Sequence, residues 1–211
     1  EEYYLNNFLI NKKYKATIKV NNIKTHFSLK NDFQNNILNI LSALTVMSIY
    51  LDISKIDKNI FYNFKTPDGR GDISKIRHKS KLLNLIDESY NSNPLSLKSA
   101  ILNFDKIKSN KSKKYLLLGD MLELGKYSKK LHQSIGRIIN RTKIDKVFVK
   151  GHKILFTYNS ITKLKRGGIL NNNSEIINLI KNDLNNNDYL MVKASNATGF
   201  NMMINSMKGL K

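Results

Sequence analysis

The stretch LLNLIDESYNSNPLSLKSAILNF, residues Leu82–Phe104, decides the fold of this chain. It begins with an apolar run of strand length, and Asp87 and Glu88 follow at the carboxyl end of that strand. A polar loop then leads to Asn93 and Pro94, where a favoured N-cap residue precedes a proline that needs no N–H at the first helical position. Strand, acidic loop and helix place ligand groups at strand ends in open α/β sheets, although an ordinary βα loop has the same layout.

The rest of the chain from Gly71 onward continues this alternation of strands and helices. We predict strands at Ile73–Arg77, Leu82–Asp87, Tyr115–Leu118, Lys146–Lys150 and Tyr189–Val192, and helices at Pro94–Ile107, Ser128–Arg141, Glu175–Leu184 and Thr198–Met207. The first two strands form a hairpin-like pair, and Ile154–Ile169 is a weaker segment. Such alternation predicts an α/β domain with a mostly parallel sheet and helices on both faces.

One predicted helix carries a histidine on its surface. The apolar spacing of Ser128–Arg141 gives a core face of Leu131, Ile135 and Ile138. His132 then falls on the polar side of the same helix, where a histidine is usually either a surface residue or one that supports neighbouring site residues.

The N-terminal third of the chain has a different pattern. Tyr14–Val20 and Ile23–Leu29 alternate as strands around two asparagines, which predicts a hairpin. Ile37–Leu51 is apolar over most of a helical circumference, which predicts a buried helix, and Asp52–Phe64 is expected to form a short one. Asn36 and Asn39 stand one above the other near the start of the longer helix. Such a pair can hold a planar polar ligand such as a purine, although the pair by itself favours a helix cap with a chance second asparagine.

A linker separates the two patterns. Lys65–Gly71 contains proline and two glycines, so we place a domain boundary there, with residues 1–69 before it and 70–211 after it. Arg70 stands between the two glycines. A guanidinium at a hinge can swing toward a nucleotide phosphate, whereas a plain surface arginine would need no explanation.

Composition restricts the function classes. The 211 residues carry a formal charge of +20, are 41% apolar and include no cysteine, which excludes disulfides and thiolate metal sites. The lysines are scattered, so a solvated basic surface is favoured over nucleic-acid binding. The longest apolar segment is too short for a membrane span, and we expect a cytoplasmic monomer with no membrane insertion.

Several catalytic motifs are absent from the sequence. The four histidines have no metal-ligand spacing, and there is no G-x-S-x-G nucleophile motif. The phosphate-binding pattern G-x-x-x-x-G-K-[ST] does not occur either. The polar information is concentrated instead in three strand-end segments, Asp87–Pro94, Gly119–Gly125 and Lys193–Asn196.

Together these three segments resemble the C-terminal domain of the Mur ligases. The strings DESYNSNP, LGDMLELG and VKASN match the family pattern almost throughout, and Asn36, Asn39 and Gly69-Arg70 fall in the family's order. The resemblance runs from about Phe27 to Lys208. It implies the end of a central ATP-binding domain followed by a Rossmann-like C-terminal domain.

The resemblance also implies an activity. Mur ligases are ATP-dependent amide ligases that proceed through an acyl phosphate. The pattern here is most similar to members that join D-alanyl-D-alanine to UDP-N-acetylmuramoyl-tripeptide. In the family, the phosphate loop and the Mg ligands belong to the central domain, and we expect them upstream of this chain, which we therefore expect to be inactive alone.

By analogy, each candidate residue receives a role in that reaction. Asn36 and Asn39 would border the adenine of ATP, Arg70 would be the catalytic group that approaches the phosphates, and Asp87 or Glu88 would bind the ribose. The residues expected to face the cleft that holds the dipeptide are Tyr90, Asn91, Asn93, Lys193 and Ser195.

Some positions depart from the family pattern, and two rival functions stay open. Asp87-Glu88 replaces two aspartates, which leaves the ribose ligand undecided, and Ala194 replaces a usual glycine. One rival is another Mur or folylpolyglutamate-type ligase, although those resemble a shorter D-Y-x-H-x-P where this chain has SYNSNP. The other rival is a non-catalytic basic α/β binding module, for which steeply salt-dependent RNA affinity would be evidence.

Overall fold

The computed structural model describes residues 4–10, 13–20, 23–29, 34–63, 69–78, 81–109 and 111–208. The chain divides into two compact units, Glu1–Thr66 and Pro67–Lys211. The predicted linker residues 65–68 and the predicted turn at 21–22 lie outside the described residues.

The first unit is a three-stranded antiparallel sheet with one helix. Its strands are β1 (Tyr4–Ile10), β2 (Lys13–Val20) and β3 (Ile23–Leu29), and its helix is α1 (Gln34–Met47). The β2–β3 pairing, with Val20 opposite Ile23, confirms the predicted hairpin. The additional strand β1 pairs with β2 and was not predicted, because two asparagines interrupt its apolar pattern.

Two predictions about this unit were wrong. Helix α1 is not buried all round: Ile40 and Leu44 are buried against the sheet, whereas Val46 is 59% exposed, because a single helix on a single sheet buries one stripe. The expected helix over Asp52–Phe64 is a short 3-10 turn, Ile53–Lys55, followed by further turns. The Asp52 carboxylate accepts from the Ser54 N–H at 3.0 Å, and such local contacts compete with helix formation.

The second unit is built on a six-stranded sheet. Its strands are β4 (Asp72–His78), β5 (Lys81–Glu88), β6 (Lys114–Gly119), β7 (Lys146–Lys150), β8 (Arg166–Ile169) and β9 (Tyr189–Lys193). They lie in the order β4-β5-β9-β6-β7-β8, and β4 pairs antiparallel with β5 at one edge while all other pairs are parallel. The mostly parallel α/β sheet predicted from the sequence is confirmed.

Helices cover both faces of this sheet. One core contains residues of α2 (Pro94–Lys106), α3 (Ser128–Asn140) and the segment leading into α4 (Leu155–Ser160), and the other contains residues of α5 (Asn173–Asn182) and α6 (Phe200–Lys208). The Asn93 side chain caps α2 by accepting from the Ser96 N–H at 2.8 Å, as its position before Pro94 predicts. The predicted helices and strands of this unit all end within two residues of the observed bounds.

Strand β8 was not predicted, because two of its four residues are glycines. A Cβ on Gly167 would lie 2.6 Å from the Phe148 ring, so only glycine allows the strand to pass that ring. The glycine that makes this packing feasible also removes the apolar side chain from which a strand is predicted.

The described residues contain no helix that is both long and apolar enough to cross a membrane.

Candidate functional site

The three polar segments predicted from the sequence meet at the carboxyl ends of β5, β9 and β6. The chain leaves β5 and β6 toward the face covered by α2 and α3, whereas it leaves the intervening strand β9 toward the face covered by α6. Such a reversal opens a crevice in which α/β proteins bind ligands. A groove of about 520 Å³ lies here, lined by Tyr90, Asn91, Ser92, Asn93, Leu122, Glu123, Leu124, Ser195, Asn196 and Ala197.

Lys193 contacts the groove residue Asn91 but is not itself among the lining residues. Its side chain is only 3% exposed, and the ammonium donates to Glu88 Oε2 at 3.0 Å and to the Asn91 carbonyl at 2.9 Å. A buried ammonium requires such partners, since an unpaired charge in the interior is very costly. The lysine therefore joins the end of β9 to the loop after β5, and this geometry indicates a positioning role.

The two neighbouring acids have different environments. Asp87 is buried, and its Oδ1 accepts from both the N–H and the hydroxyl of Ser89, at 3.1 and 2.7 Å, which forms the turn after β5. The Glu88 side chain is 24% exposed and pairs with Lys193. Its Oε1 lies 3.1 Å from where a Cβ on Gly71 would stand, so the carboxylate reaches the start of β4. Of the two acids, Glu88 has the more accessible carboxylate.

Ser195 connects the three segments to one another. Its hydroxyl donates to the Ser92 carbonyl at 3.1 Å and accepts from the Leu122 N–H at 3.0 Å, while its own N–H donates to the Asp120 carbonyl. The serine lines the groove, but its hydroxyl already has a donor and an acceptor. It therefore fixes the relative positions of the groove walls.

The residues of the loop after β5 differ in which of their side-chain groups are already used in contacts within the protein. Asn93 uses its amide oxygen to cap α2, and Asn91 uses its amide oxygen to accept from the Ser92 N–H at 2.8 Å. The Tyr90 ring is 48% exposed, and the Arg70 guanidinium stacks on it at 4.2 Å from the ring centre. A Cβ on Gly69 would lie 2.9 Å from the Tyr90 nitrogen, so glycine at this position allows the segment before Arg70 to pass close to the loop.

Of the groove residues that the sequence did not predict as site residues, Ser92 and Glu123 have the most unusual environments. The buried Ser92 hydroxyl has no hydrogen-bond partner among the described residues, and such a group calls for an explanation such as a ligand. Glu123 carries the only formal charge in the groove lining and has a positive φ of 62°, a strained conformation for a non-glycine residue. The glutamate belongs to the quoted LGDMLELG string, but the string alone does not predict this conformation.

The predicted placement of His132 on the polar side of its helix was wrong, because this side chain is fully buried. The core face of α3 is formed by His132, Ile135, Gly136 and Ile139, while Leu131 and Ile138 are only half-buried. A Cβ on Gly136 would lie 2.6 Å from Ser160 Cβ, so this glycine lets the α4 segment approach and shifts the buried face toward it.

The buried His132 supports the loop that carries Glu123. Its Nε2 accepts from the Met121 N–H at 3.3 Å, so Nδ1 holds the ring proton and donates to the Ser128 carbonyl at 2.8 Å. Burial lowers the pKa of His132 below its ordinary value of 6.5, and the Ser128 contact and the Asp120 charge oppose this only in part. The neutral imidazole of His132, on α3, therefore holds the loop through the Met121 N–H.

Asp120 stabilises the neighbouring strand ends. Its carboxylate accepts from the N–H groups of His152 and Ile154, at 3.2 and 2.7 Å, and so ties the end of β6 to the loop after β7. Gly151 in that loop has a φ of +136°, and a Cβ there would lie 2.5 Å from Asp120 Oδ1, so glycine is required.

The predicted adenine residues lie in the first unit. Both Asn36 and Asn39 belong to α1, and Asn39 is exposed, whereas the side chain of Asn36 lies outside the part that the structure describes. Their role stays a prediction. No group of three or more His, Asp or Glu side chains among the described residues is arranged to hold a metal ion.

Comparison with known proteins identifies this arrangement. The family model described as Mur ligase, glutamate ligase domain, matches residues 74–196. The UDP-N-acetylmuramoyl-tripeptide--D-alanyl-D-alanine ligase of Bacillus subtilis is 27% identical over 183 residues, which are 81% of this chain and 39% of the relative. The ligase of the same name from Buchnera aphidicola subsp. Baizongia pistaciae is 31% identical over 82% of this chain and 36% of its own length.

Solved structures show the same fold. The MurF ligase from Thermotoga maritima, solved in complex with ADP, superposes with a TM-score of 0.75 at 21% identity, over 99% of this chain and 46% of that one. The UDP-N-acetylmuramate-alanine ligase MurC from the same organism gives a TM-score of 0.64 at 15% identity, over 99% of this chain and 46% of its own. The chain thus spans less than half the length of these relatives. With its C-terminal domain pattern matched over more than half of its residues, the chain belongs to the Mur ligase family.

Proposed function

We propose that this chain is part of a cytoplasmic ATP-dependent ligase that joins D-alanyl-D-alanine to UDP-N-acetylmuramoyl-tripeptide in peptidoglycan precursor synthesis. The observation that carries the proposal is the match to ligases of that name across four fifths of the chain. The polar groove at the strand reversal supports it, because such a crevice is where α/β proteins bind ligands.

We propose that the nucleotide binds near Arg70. In this proposal ATP supplies the phosphoryl group that activates the carboxylate of the tripeptide substrate. The Glu88 carboxylate, which is partly exposed, accepts hydrogen bonds from ribose hydroxyls, and Lys193 holds it in place. The exposed Arg70 guanidinium is suited to phosphate oxygens, which it can bind through two N–H groups.

The dipeptide is assigned to the groove. An incoming D-alanyl-D-alanine carries an amine and a carboxylate, and the Glu123 carboxylate is the one charged group in the lining that attracts an amine. Ser92 lines the groove, and its buried hydroxyl has no hydrogen-bond partner among the described residues. Tyr90 and Asn91 form a wall of the groove, while Lys193, Ser195 and Asn93 hold that wall in position.

We further propose that residues 1–69 are the end of a central ATP-binding domain and residues 70–211 the C-terminal domain. Asn36 and Asn39 then contact the adenine.

The isolated chain is expected to hydrolyse no ATP and to form no amide bond. Its sequence lacks the glycine-rich loop and lysine with which P-loop proteins hold nucleotide phosphates. Release of phosphate from ATP, measured with and without both substrates, checks this. Turnover by the purified chain above a buffer control would contradict the expectation that the chain alone is inactive.

In the complete ligase, Arg70→Ala is expected to lower kcat/KM for ligation about tenfold or more. A charge-assisted hydrogen bond to phosphate contributes about 1.5–3 kcal/mol. The stability cost is expected to stay below about 1 kcal/mol, since the lost contact is a partly exposed cation–π pair with Tyr90. Steady-state kinetics and a urea unfolding curve measure the two effects.

Arg77→Ala is the matched control, because Arg77 is an exposed arginine on β4 of the same unit. The substitution is expected to change neither kcat/KM nor the equilibrium constant of unfolding by more than about twofold. Equal losses of rate and stability in Arg70→Ala would identify Arg70 as a merely structural residue.

A further inference from the structure

A second groove lies between α2 and α3, and none of its lining residues lines the groove at the strand ends. Its volume is about 520 Å³. Ile135 forms a buried part of its floor, Ile138 is half-buried, and Leu95 is 77% exposed at its edge. An exposed leucine beside a concave apolar floor is a typical element of an interaction surface.

The walls of this groove are strongly basic. Lys98 on α2, Arg137 on α3 and Arg141, the residue that caps the C-terminus of α3, all line it and are exposed. Arg137 and Arg141 are four residues apart at this helix end. No carboxylate lies in the lining. Among the described residues, none of the three cations belongs to an ion pair, since the recorded pairs involve Lys55 and Lys193.

The two helices that form the groove carry almost no negative side chains. The one acid on either helix is Asp105, at the far end of α2, where it accepts from the Lys143 N–H. The N-terminal turn of α2, at Pro94 and Leu95, and the C-terminal turn of α3, at Arg137 and Ile138, both line the groove. The opposite partial charges of these two helix ends offset each other, so the positive field comes from the three side chains.

We propose that this α2–α3 groove is the docking site for an acidic, amphipathic helical segment of a partner protein. The space between two surface helices accepts a third helix, whose apolar residues at i, i+4 and i+7 fit the floor. Carboxylates flanking those residues then meet Lys98, Arg137 and Arg141, and guanidinium groups bind carboxylates in a bidentate manner.

Two other anionic partners fit the groove less well. A bilayer surface is flat on this scale and would meet the rim but leave the apolar floor empty. A nucleic-acid backbone presents a row of phosphates without apolar side chains, so the isoleucines and Leu95 would have no partner. The combination of apolar floor and cationic walls therefore favours a peptide segment, and the inference does not depend on the ligase activity.

The test uses the 211-residue chain and a fluorescein-labelled synthetic peptide of about 16 residues, with leucines at helical i, i+4 and i+7 spacing and flanking glutamates. Fluorescence anisotropy is measured for the wild type, for Arg137→Glu with Arg141→Glu, and for a control with Lys111→Glu and Lys163→Glu. The control cations are exposed and outside the groove, and both double variants change the net charge equally. Thermal unfolding confirms that each variant is folded.

The groove variant is expected to bind the peptide about tenfold or more weakly than wild type, and the control within about twofold. Amide shifts in NMR spectra are expected to cluster on α2 and α3. Equal losses of peptide affinity in the two double variants would show only general attraction between an acidic peptide and a basic protein, and would overturn the proposed site. Absence of wild-type binding below about 1 mM peptide overturns the proposal. Anionic phosphatidylglycerol vesicles or RNA that bind at Arg137 and Arg141 where the peptide does not would also overturn it.

Discussion

Replacing Lys193 by methionine is expected to lower the free energy of unfolding by about 3 kcal/mol. Breaking a buried ion pair by removing one partner costs about 3–5 kcal/mol, and the lower end applies because the Glu88 side chain reaches solvent. The substitution also leaves the Asn91 carbonyl without its ammonium donor. Urea unfolding followed by circular dichroism measures the change.

A double-mutant cycle separates the ion pair from the packing of the lysine side chain. Lys193→Met combined with Glu88→Gln is expected to cost at least about 1 kcal/mol less than the sum of the single changes. Lys150→Met is the matched control, because Lys150 ends the strand β7 at the same edge and contacts the Phe200 ring in a cation–π pair. Its cost is expected to stay below about 1 kcal/mol. Strict additivity in the cycle would show that the pair does not stabilise the site.

His132→Ala is expected to cost about 2–4 kcal/mol at pH 7.5. The change removes a fully buried ring and leaves the Met121 N–H without the nitrogen that accepts from it. Because Leu122 and Glu123 follow Met121 directly, the loop that lines the groove is expected to loosen first. Urea unfolding gives the stability, and hydrogen exchange of the amides at 121–124 reports the loop.

The same histidine makes stability depend on pH in a defined direction. The folded pKa of His132 is lowered by burial, so below about pH 6.5 the unfolded chain takes up a proton that the folded chain resists. The stabilisation that neutral His132 gives the folded chain is therefore fully present above about pH 6.5. It is lost as the pH falls through the folded pKa. Stability of the wild type is expected to fall between pH 7.5 and 5.5 more steeply than that of His132→Ala.

His152→Ala is the control for this titration, since His152 is exposed and follows Gly151 in the loop after β7. It is expected to leave the steeper pH slope of the wild type unchanged. Identical slopes in the wild type and His132→Ala would show that His132 does not carry the pH dependence.

The elements of the second unit were predictable because their signals are local. Asn93 before Pro94 marks the start of α2, and the apolar strand runs are bounded by turn residues. The misses arise where a distant packing partner decides the outcome. Gly167 can pass the Phe148 ring only because it has no side chain, and His132 is buried where Gly136 lets the α4 segment approach.

The candidate site shows the same division. The sequence predicts that the segments around Asp87, Gly119 and Lys193 meet at one sheet edge, since parallel strands end together. It does not predict which polar atoms remain available, because that depends on partners about a hundred residues away. Lys193 and Ser195 are taken up by Glu88, Asn91 and Ser92, whereas the Ser92 hydroxyl is left without a partner among the described residues.

The most direct test of the proposed function is the product formed by the complete ligase. ATP, UDP-N-acetylmuramoyl-tripeptide and D-alanyl-D-alanine are supplied together, and mass spectrometry measures the molecular mass of the UDP-linked product. We expect UDP-N-acetylmuramoyl-pentapeptide, with one ADP released per amide bond. A product that forms only with a single amino acid would assign the chain to another ligase of the superfamily. No ATP-dependent product, together with steeply salt-dependent RNA binding, would contradict a ligase function altogether.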